Sequence, residues 1–248
     1  MRFDEKVVLV TGGASGIGAA TVRGFAALGA DVLVADVNAA RGEEVAAGIR
    51  AEKGKAQFVR VDVTDAASIK ACRDLVLSSR GRLDVLANVA GWGHIQPFVE
   101  NDDAFIDKVM ALNLRGPIEM TRAFFPSMIE RKAGRIVNVS SDAGRVGSLG
   151  ESVYSAAKGG VIAFTKSLAR EGARHGVLVN CVCPGPTDTP LLKSEPEKFL
   201  EAFLKAIPLR RFAKPSEIAD AILFMASSRA DYVTGQVLSV SGGITMVG

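Results

Sequence analysis

The chain has 248 residues, 48% of them hydrophobic, with 30 basic and 27 acidic side chains and a net charge of +3. This length predicts one α/β domain with a large core, and the lack of a Lys/Arg block argues against nucleic-acid binding. The apolar runs are short and broken by Gly, Thr or Asp, which excludes a membrane span, and the first strand starts too early for a signal peptide. We therefore expect a cytoplasmic protein.

A glycine-rich turn follows the first predicted strand, Lys6–Thr11, and a helix is predicted to begin near Ala19. The free N–H groups and the dipole of a helix N-terminus attract phosphate, and glycines let the backbone approach a pyrophosphate closely. The spacing from Gly12 to Gly18 is G-x-x-x-G-x-G rather than the commoner G-x-G-x-x-G. Strand, turn and helix together predict a dinucleotide phosphate site.

An acidic residue, Asp36, ends the second predicted strand, Asp31–Asp36. A carboxylate about 20 residues beyond the glycine turn can accept hydrogen bonds from the adenosine ribose and repels a 2′-phosphate. The position therefore favours NAD over NADP, although Arg41 nearby weakens that preference. The alternative is that Asp36 only caps the following helix.

Strands and helices alternate along the rest of the chain. Further helices are predicted at 38–52, 65–79, 102–131 and 154–174, and further strands at 56–61, 83–88, 135–139, 177–183 and 236–240. Strict alternation implies a Rossmann-type, doubly wound parallel sheet of about seven strands, with residues 1–248 as one domain. Ligands bind beyond the carboxyl ends of such strands. The residues that end or follow strands should therefore converge there: Gly12, Asp36, Asp62, Asn88, Ser141 and Pro184.

Tyr154 and Lys158 are four residues apart on a predicted helix, so their side chains share one face. A cation about 4 Å from a phenol, at an effective dielectric of about 20, favours the phenolate by roughly 4 kcal/mol. That corresponds to a pKa lowered by about 3 from the usual value of about 10. We therefore expect Tyr154 to exchange protons near neutral pH, with the Ser141 hydroxyl holding the substrate oxygen.

The same spacing also occurs by chance in helices whose Tyr is half-buried and whose Lys is solvated. The three cysteines, Cys72, Cys181 and Cys183, are interpreted as buried small hydrophobic residues. With only two histidines in the chain, no metal site is predicted.

With these residues assembled, the chain resembles the classical short-chain dehydrogenase/reductase family over essentially its full length. The glycine turn resembles the family's cofactor turn, and Asn88-Val89-Ala90-Gly91 is similar to its N-N-A-G element, with Val89 as a departure. Asn113, Ser141, Tyr154 and Lys158 match its catalytic residues. The segment Pro184–Thr189 matches its P-G-x-x-x-T element.

The resemblance implies an alcohol–ketone oxidoreductase in which Tyr154 is the base, Lys158 lowers its pKa and binds ribose, Ser141 orients substrate, and Asn113 orders a water. It also implies that the protein is a homotetramer. The predicted helices 102–131 and 154–174 carry apolar residues beyond a single stripe, which independently suggests subunit contacts. The cofactor-binding residues that it implies are Gly12, Ser15, Ile17, Asp36, Asp62, Val63, Asn88, Ala90, Tyr154, Lys158, Pro184, Thr187 and Thr189.

A narrower resemblance concerns the substrate. Segments 141–147, 182–189 and 235–243 are similar to those of dehydrogenases that act on 2-hydroxycyclohexanecarboxyl-CoA in alicyclic and aromatic acid degradation. This implies a hydroxyacyl-CoA thioester as substrate. The predicted substrate contacts are Trp92, His94, Ser141, Arg145 and Tyr154, under a helical lid at about 189–213.

Several alternatives stay open at this point. The basic residues Arg145, Lys193, Arg210 and Arg211 either meet the coenzyme A phosphates or are solvated surface charges, and Trp92 either packs or stacks on substrate. The enzyme could instead be a 3-oxoacyl-thioester reductase, or a sugar, polyol or dihydrodiol dehydrogenase. The third hypothesis is a nucleotide-binding regulatory or scaffold protein that has lost catalytic activity.

Overall fold

The computed structural model describes residues 1–247, which form one seven-stranded sheet with helices on both faces. The strands are β1 (Val7–Thr11), β2 (Asp31–Asp36), β3 (Lys55–Arg60), β4 (Val85–Asn88), β5 (Gly134–Val139), β6 (Val177–Pro184) and β7 (Val237–Val240). The helices are α1 (Gly16–Ala27), α2 (Ala39–Ala51), α3 (Ala66–Arg80), α4 (Asp103–Met110), α5 (Gly116–Glu130), α6 (Ala143–Val146), α7 (Ser152–Ala173), α8 (Pro190–Lys193), α9 (Glu197–Ala206) and α10 (Pro215–Ala226).

The sheet order is β3-β2-β1-β4-β5-β6-β7, and every strand pair is parallel. This confirms the predicted doubly wound parallel sheet. The chain reverses its direction of winding between β1 and β4, where Thr11 pairs with Asn88. Crevices at such a switch point bind ligands beyond the strand ends.

Neighbouring residues of the central strands serve two separate cores because side chains alternate across a sheet. Val8 and Val10 of β1 pack with α1, α2 and α10 on one face. Leu9 packs with α3, α5 and α7 on the other face. Both faces are therefore covered, which accounts for strands that are nearly continuous runs of Val, Leu and Ile.

Three elements differ from the sequence predictions. Helix α1 begins at Gly16 rather than near Ala19, because the last glycines of the turn already form its first turn. The predicted helix at 102–131 is interrupted by a π-helical turn, Ala111–Arg115. Helix α10 had not been predicted, although the Glu217 carboxylate accepts a hydrogen bond from the Lys214 N–H at its start, at 2.7 Å.

Within residues 1–247, no helix combines the length and the apolar character needed to cross a bilayer.

Candidate active site

Two adjoining cavities lie at the carboxyl ends of the strands. One, of about 390 Å³, is lined by Ser141, Tyr154 and Lys158 among others. The second, of about 320 Å³, is lined by the glycine turn and Asp36. Ile17, Val89, Gly91, Thr189 and Leu191 line both cavities, so the two form one continuous cleft.

The glycine turn is shaped by positions that exclude a side chain. Gly12 has a φ of +68°, and a Cβ there would lie 2.9 Å from the Cα of Ala90. At Gly18 a Cβ would lie 2.0 Å from the Gly12 carbonyl oxygen. The side chain of Ser15 makes no capping hydrogen bond to α1. The first N–H groups of this 12-residue helix are therefore left for a ligand, which fits a phosphate.

Asp36 holds the turn as well as facing the cleft. Its Oδ2 accepts a hydrogen bond from the Ala14 N–H at 3.0 Å, and its Oδ1 accepts one from the Asn38 N–H at 2.9 Å. Asn38, not Asp36, caps α2 through its own side chain. The alternative interpretation of Asp36 as the helix cap is therefore wrong, and the carboxylate remains at the cleft.

Thr11 has a role that the sequence did not reveal. Its buried hydroxyl accepts hydrogen bonds from the N–H groups of Val89 and Ala90, at 3.0 and 3.1 Å. These bonds fix the backbone after β4 against the glycine turn. The only signal in the sequence was the position of Thr11 directly before Gly12.

The structure brings most of the predicted cofactor residues to the cleft, and the chemistry of this set fits a dinucleotide. Asn88 is the exception, because it lines neither cavity. Its side-chain amide donates to Asn138 Oδ1 at 2.8 Å and to Thr121 Oγ1 at 3.1 Å, tying β4 to β5 and α5 beneath the cleft. The residues that do line the cleft are Gly12, Ser15, Ile17, Asp36, Asp62, Val63, Ala90, Tyr154, Lys158, Pro184, Thr187 and Thr189.

Helix α7 presents Tyr154 and Lys158 to the same cavity, as their spacing predicts. The Lys158 Nζ lies 5.6 Å from the centre of the Tyr154 ring. It donates a hydrogen bond to the Val139 carbonyl at 3.0 Å, while the Ser140 hydroxyl donates to the Lys158 carbonyl at 2.7 Å. The lysine is therefore fixed at both its backbone and its ammonium group.

The predicted lowering of the Tyr154 pKa is wrong for this structure. Burial, followed by the charge of Glu151, raises the pKa of Tyr154 well above 10, and interaction with the Ser141 hydroxyl lowers it only in part. Burial also lowers the pKa of Lys158 from 10.5 to about 8. The sequence argument treated both groups as partly solvated, whereas desolvation disfavours the charged form of each.

Asn113 lies in the π-helical turn and is fully buried. Its amide group donates to the Trp92 carbonyl at 2.6 Å and to the Val109 carbonyl at 2.9 Å, and its Oδ1 accepts from the Trp92 N–H at 3.1 Å. A Cβ at Gly91 would lie 2.9 Å from Asn113 Oδ1 and 3.2 Å from Lys158 Nζ. Asn113 and Lys158 thus approach the same point of the backbone.

Of the predicted substrate contacts, Ser141 and Tyr154 line the cavity and the other three do not. Trp92 packs edge-on against Phe105, with the Lys108 Nζ 3.7 Å from its ring centre. His94 Nδ1 lies 3.4 Å from a carboxylate oxygen of Glu195. The structure therefore gives Trp92 a packing role and places His94 outside the cavity lining.

Arg145 lies behind the cavity, where it donates to Ser239 Oγ at 3.0 Å and to the Val237 carbonyl at 3.3 Å. Arg211 forms a two-pronged ion pair with Glu217, and Lys193 pairs with Asp188 at 2.7 Å. These three basic groups are therefore already engaged in contacts within the protein. Arg210 donates to a backbone carbonyl of α9.

Cys181 and Cys183 are buried, with their sulfur atoms 4.0 Å apart on one face of β6. Interaction with Cys181 lowers the pKa of Cys183, and interaction with Cys183 raises that of Cys181. Among residues 1–247, no group of three or more His, Cys, Asp or Glu side chains is arranged to hold a metal ion.

Comparison with known proteins gives consistent findings. A family model described as enoyl-(acyl carrier protein) reductase matches residues 12–245. A 3-oxoacyl-(acyl-carrier-protein) reductase of Thermotoga maritima is 41% identical over 99% of this chain and 100% of its own length. The cis-4-hydroxycyclohexanecarboxylate dehydrogenase of Sinomonas cyclohexanicum is 42% identical over 99% of this chain and 98% of its own. The crystal structure of gox2181 superimposes with a TM-score of 0.95 at 32% identity, covering 98% of this chain and 96% of that one.

Proposed function

Because the chain belongs to the short-chain dehydrogenase/reductase family, we propose that it interconverts a secondary alcohol and a ketone with NAD as hydride acceptor. Oxidoreductase chemistry on an alcohol or ketone with a nicotinamide cofactor is the family's activity. The observation that carries the proposal is the placement of Ser141, Tyr154 and Lys158 in a cavity continuous with the glycine turn.

The chain's own residues divide the work as follows. The N–H groups of the glycine turn would bind the pyrophosphate, and Asp36 would bind the adenosine ribose. Thr187 and Thr189 would bind the nicotinamide end of the cofactor. When bound, a nicotinamide dinucleotide supplies the acceptor or donor of the hydride.

The proton is transferred by the side chains that line the larger cavity. Tyr154 Oη removes the hydroxyl proton during alcohol oxidation and returns it during ketone reduction. Ser141 Oγ orients the substrate oxygen, and the Lys158 ammonium stabilises the phenolate form of Tyr154. Asn113, beside Lys158, would order a water through which the proton leaves.

We propose a hydroxyacyl-CoA thioester resembling 2-hydroxycyclohexanecarboxyl-CoA as the substrate. Apolar side chains that line the larger cavity suit an alicyclic ring: Ile95, Val146, Leu191, Leu192, Phe203 and Ile244. The relative from Sinomonas cyclohexanicum, named for a hydroxycyclohexanecarboxylate, supports a ring of this size. Helices α8 and α9 would act as the lid over it.

The second candidate is a 3-oxoacyl-thioester reductase. The reductase of Thermotoga maritima, 41% identical over nearly the whole of both chains, favours it. Steady-state assays with 2- and 3-hydroxyacyl-CoA thioesters, the matching ketones and the free acids, each with both dinucleotides, test the two candidates. Faster oxidation with NAD supports the first, and faster reduction of 3-oxoacyl thioesters with NADPH supports the second.

Cofactor preference gives the first specific prediction. We expect the wild-type protein to favour NAD over NADP by about 100-fold in kcat/KM, since like charges about 4 Å apart at a protein surface repel by up to about 4 kcal/mol. The Asp36→Asn substitution keeps an acceptor for the Ala14 N–H but removes the charge. It should reduce the preference to about 10-fold or less.

The matched control is Asp74→Asn, which changes an exposed carboxylate on α3 outside the cleft. Both variants are assayed with NAD and NADP on one substrate. An unchanged NAD/NADP ratio in the Asp36 variant would show that this carboxylate does not set cofactor choice.

We also propose that the protein assembles as a homotetramer. Exposed apolar residues near the β7 edge and the C-terminal segment, Leu238 and Met246, provide surface for subunit contacts. Size-exclusion chromatography with light scattering tests this, and a monomer of 26.0 kDa would contradict it.

A further inference from the structure

The charged side chains that line the larger cavity are mostly acidic. Four charged side chains line it among the described residues: Asp142, Glu151, Lys158 and Glu195. Three of the four are acidic, and the other residues that line the cavity are uncharged. A cavity of this kind discriminates between uncharged and negatively charged substrates that have the same ring.

Two of the four charges have partners that reduce their influence on a substrate. The Asp142 Oδ1 accepts a hydrogen bond from the Ser239 hydroxyl at 2.6 Å, and Ser239 in turn accepts one from Arg145 at 3.0 Å. Ser239 thus links the Asp142 carboxylate to the Arg145 guanidinium behind the cavity, and the positive charge of Arg145 partly offsets that of Asp142. The Lys158 ammonium is buried and bound to the Val139 carbonyl.

Glu195 is fixed at the cavity wall between α8 and α9. Its side chain is only 6% exposed. One carboxylate oxygen lies 3.4 Å from His94 Nδ1, and the other accepts a hydrogen bond from the Ile95 N–H at 3.4 Å. Among the described residues no Lys or Arg side chain pairs with Glu195, and His94 is its one partner with an ionisable side chain.

Glu151 lies three residues before Tyr154, at the start of α7. Burial raises the pKa of Glu151, the Ser148 hydroxyl acts in the opposite direction, and the charge of Glu195 raises that pKa further. Glu151 lines the cavity together with Tyr154, and its charge raises the pKa of that phenol. Glu151 and Glu195 thus share one cavity, each within the electrostatic reach of the other.

We infer that Glu151 and Glu195 are specificity-determining residues that exclude free carboxylic acids and admit the same acyl groups as uncharged thioesters. The inference rests on the proposed function and narrows its substrate class. A substrate carboxylate would be desolvated beside two like charges, whereas a thioester carbonyl carries no charge to repel.

The test compares one acyl group in two forms, 2-hydroxycyclohexanecarboxylate and its N-acetylcysteamine thioester, which lacks the phosphates of coenzyme A. Both forms are assayed in the same buffer at pH 8. We expect the wild-type kcat/KM for the thioester to exceed that for the acid by about 100-fold. Glu151→Gln and Glu195→Gln should each cut this ratio about 10-fold, and the double variant should cut it further.

The ratio separates a specificity role from a structural one, because damage to the fold would lower both kcat/KM values together. Glu201→Gln is the matched control, since it removes an exposed carboxylate from α9 and should leave the ratio unchanged. Equal wild-type turnover of acid and thioester overturns the inference while leaving the proposed reaction standing. An unchanged ratio in both cavity variants also overturns it. Absence of turnover of both forms, with either dinucleotide, overturns the proposed substrate and this inference with it.

Discussion

The Tyr154→Phe variant should lose about 100- to 10,000-fold in kcat while binding the dinucleotide with nearly unchanged affinity, since general acid–base catalysis accelerates reactions by a factor of about 10² to 10⁴. The substitution removes the one phenol that lines the larger cavity and leaves the ring in place. The hydride donor and acceptor would remain aligned, but no side chain would take the hydroxyl proton. Single-turnover absorbance at the NADH band, with a fluorescence titration of NADH, measures the two quantities separately.

The chain offers a matched control for this variant. Tyr232 is the only other tyrosine, and it is fully exposed on a turn before β7. Tyr232→Phe removes the same atom and should leave kcat unchanged. Retention of more than about a tenth of wild-type kcat by the Tyr154 variant would assign the proton transfer to another group.

The raised pKa of Tyr154 bears on the direction of the reaction. Because burial and the charge of Glu151 both raise that pKa, the phenol holds its proton at neutral pH. This is the form that donates a proton during ketone reduction. Alcohol oxidation needs the phenolate, which the Lys158 ammonium has to stabilise.

The sequence predicted the strands, helices and strand ends around this site well because they depend on local patterns. Buried strands of Val, Leu and Ile alternate with helices, and the carboxyl ends of parallel strands must share one edge. Gly12, Asp36, Ser141 and Pro184 could therefore be placed together without coordinates. The face shared by Tyr154 and Lys158 follows from the helical period alone.

What the sequence could not provide depends on long-range packing. The direction of the Tyr154 pKa shift depends on how deeply this side chain is buried. No local sequence pattern predicts that depth. Asn88 and Arg145 looked available for ligands, yet Asn138, Thr121 and Ser239 from distant parts of the chain bind them. The π-helical turn at Ala111–Arg115 likewise has no simple sequence signature.

The Lys158→Met variant should be more stable than the wild-type protein near pH 7 and nearly inactive. Burial lowers the pKa of Lys158 from 10.5 to about 8. This difference means that the charged lysine destabilises the folded protein by about 3 kcal/mol. Loss of the hydrogen bond to the Val139 carbonyl destabilises the variant by about 1 kcal/mol. A net gain of about 2 kcal/mol in the free energy of unfolding is therefore expected.

The pH dependence of that gain follows from proton linkage. Below pH 8 both the folded and the unfolded wild-type chains carry the charge on Lys158, so the full penalty is present. Between about 8 and 10.5 the unfolded chain binds the proton and the folded chain does not, so wild-type stability rises with pH. The advantage of the variant should therefore shrink through this window and disappear above it.

Urea unfolding of both proteins at pH 7 and near pH 10 measures the gain, and Lys166→Met, which removes an exposed lysine from the same helix, is the control. Activity at pH 7 should fall by at least about 100-fold in the Lys158 variant and stay unchanged in the control, because Lys158, unlike Lys166, lies beside Tyr154 and stabilises its phenolate. A lysine kept at a position where an apolar side chain is more stable indicates that its charge is needed for function. A Lys158 variant that is less stable than wild type at pH 7, or that retains its activity, would contradict this account of the tyrosine–lysine pair.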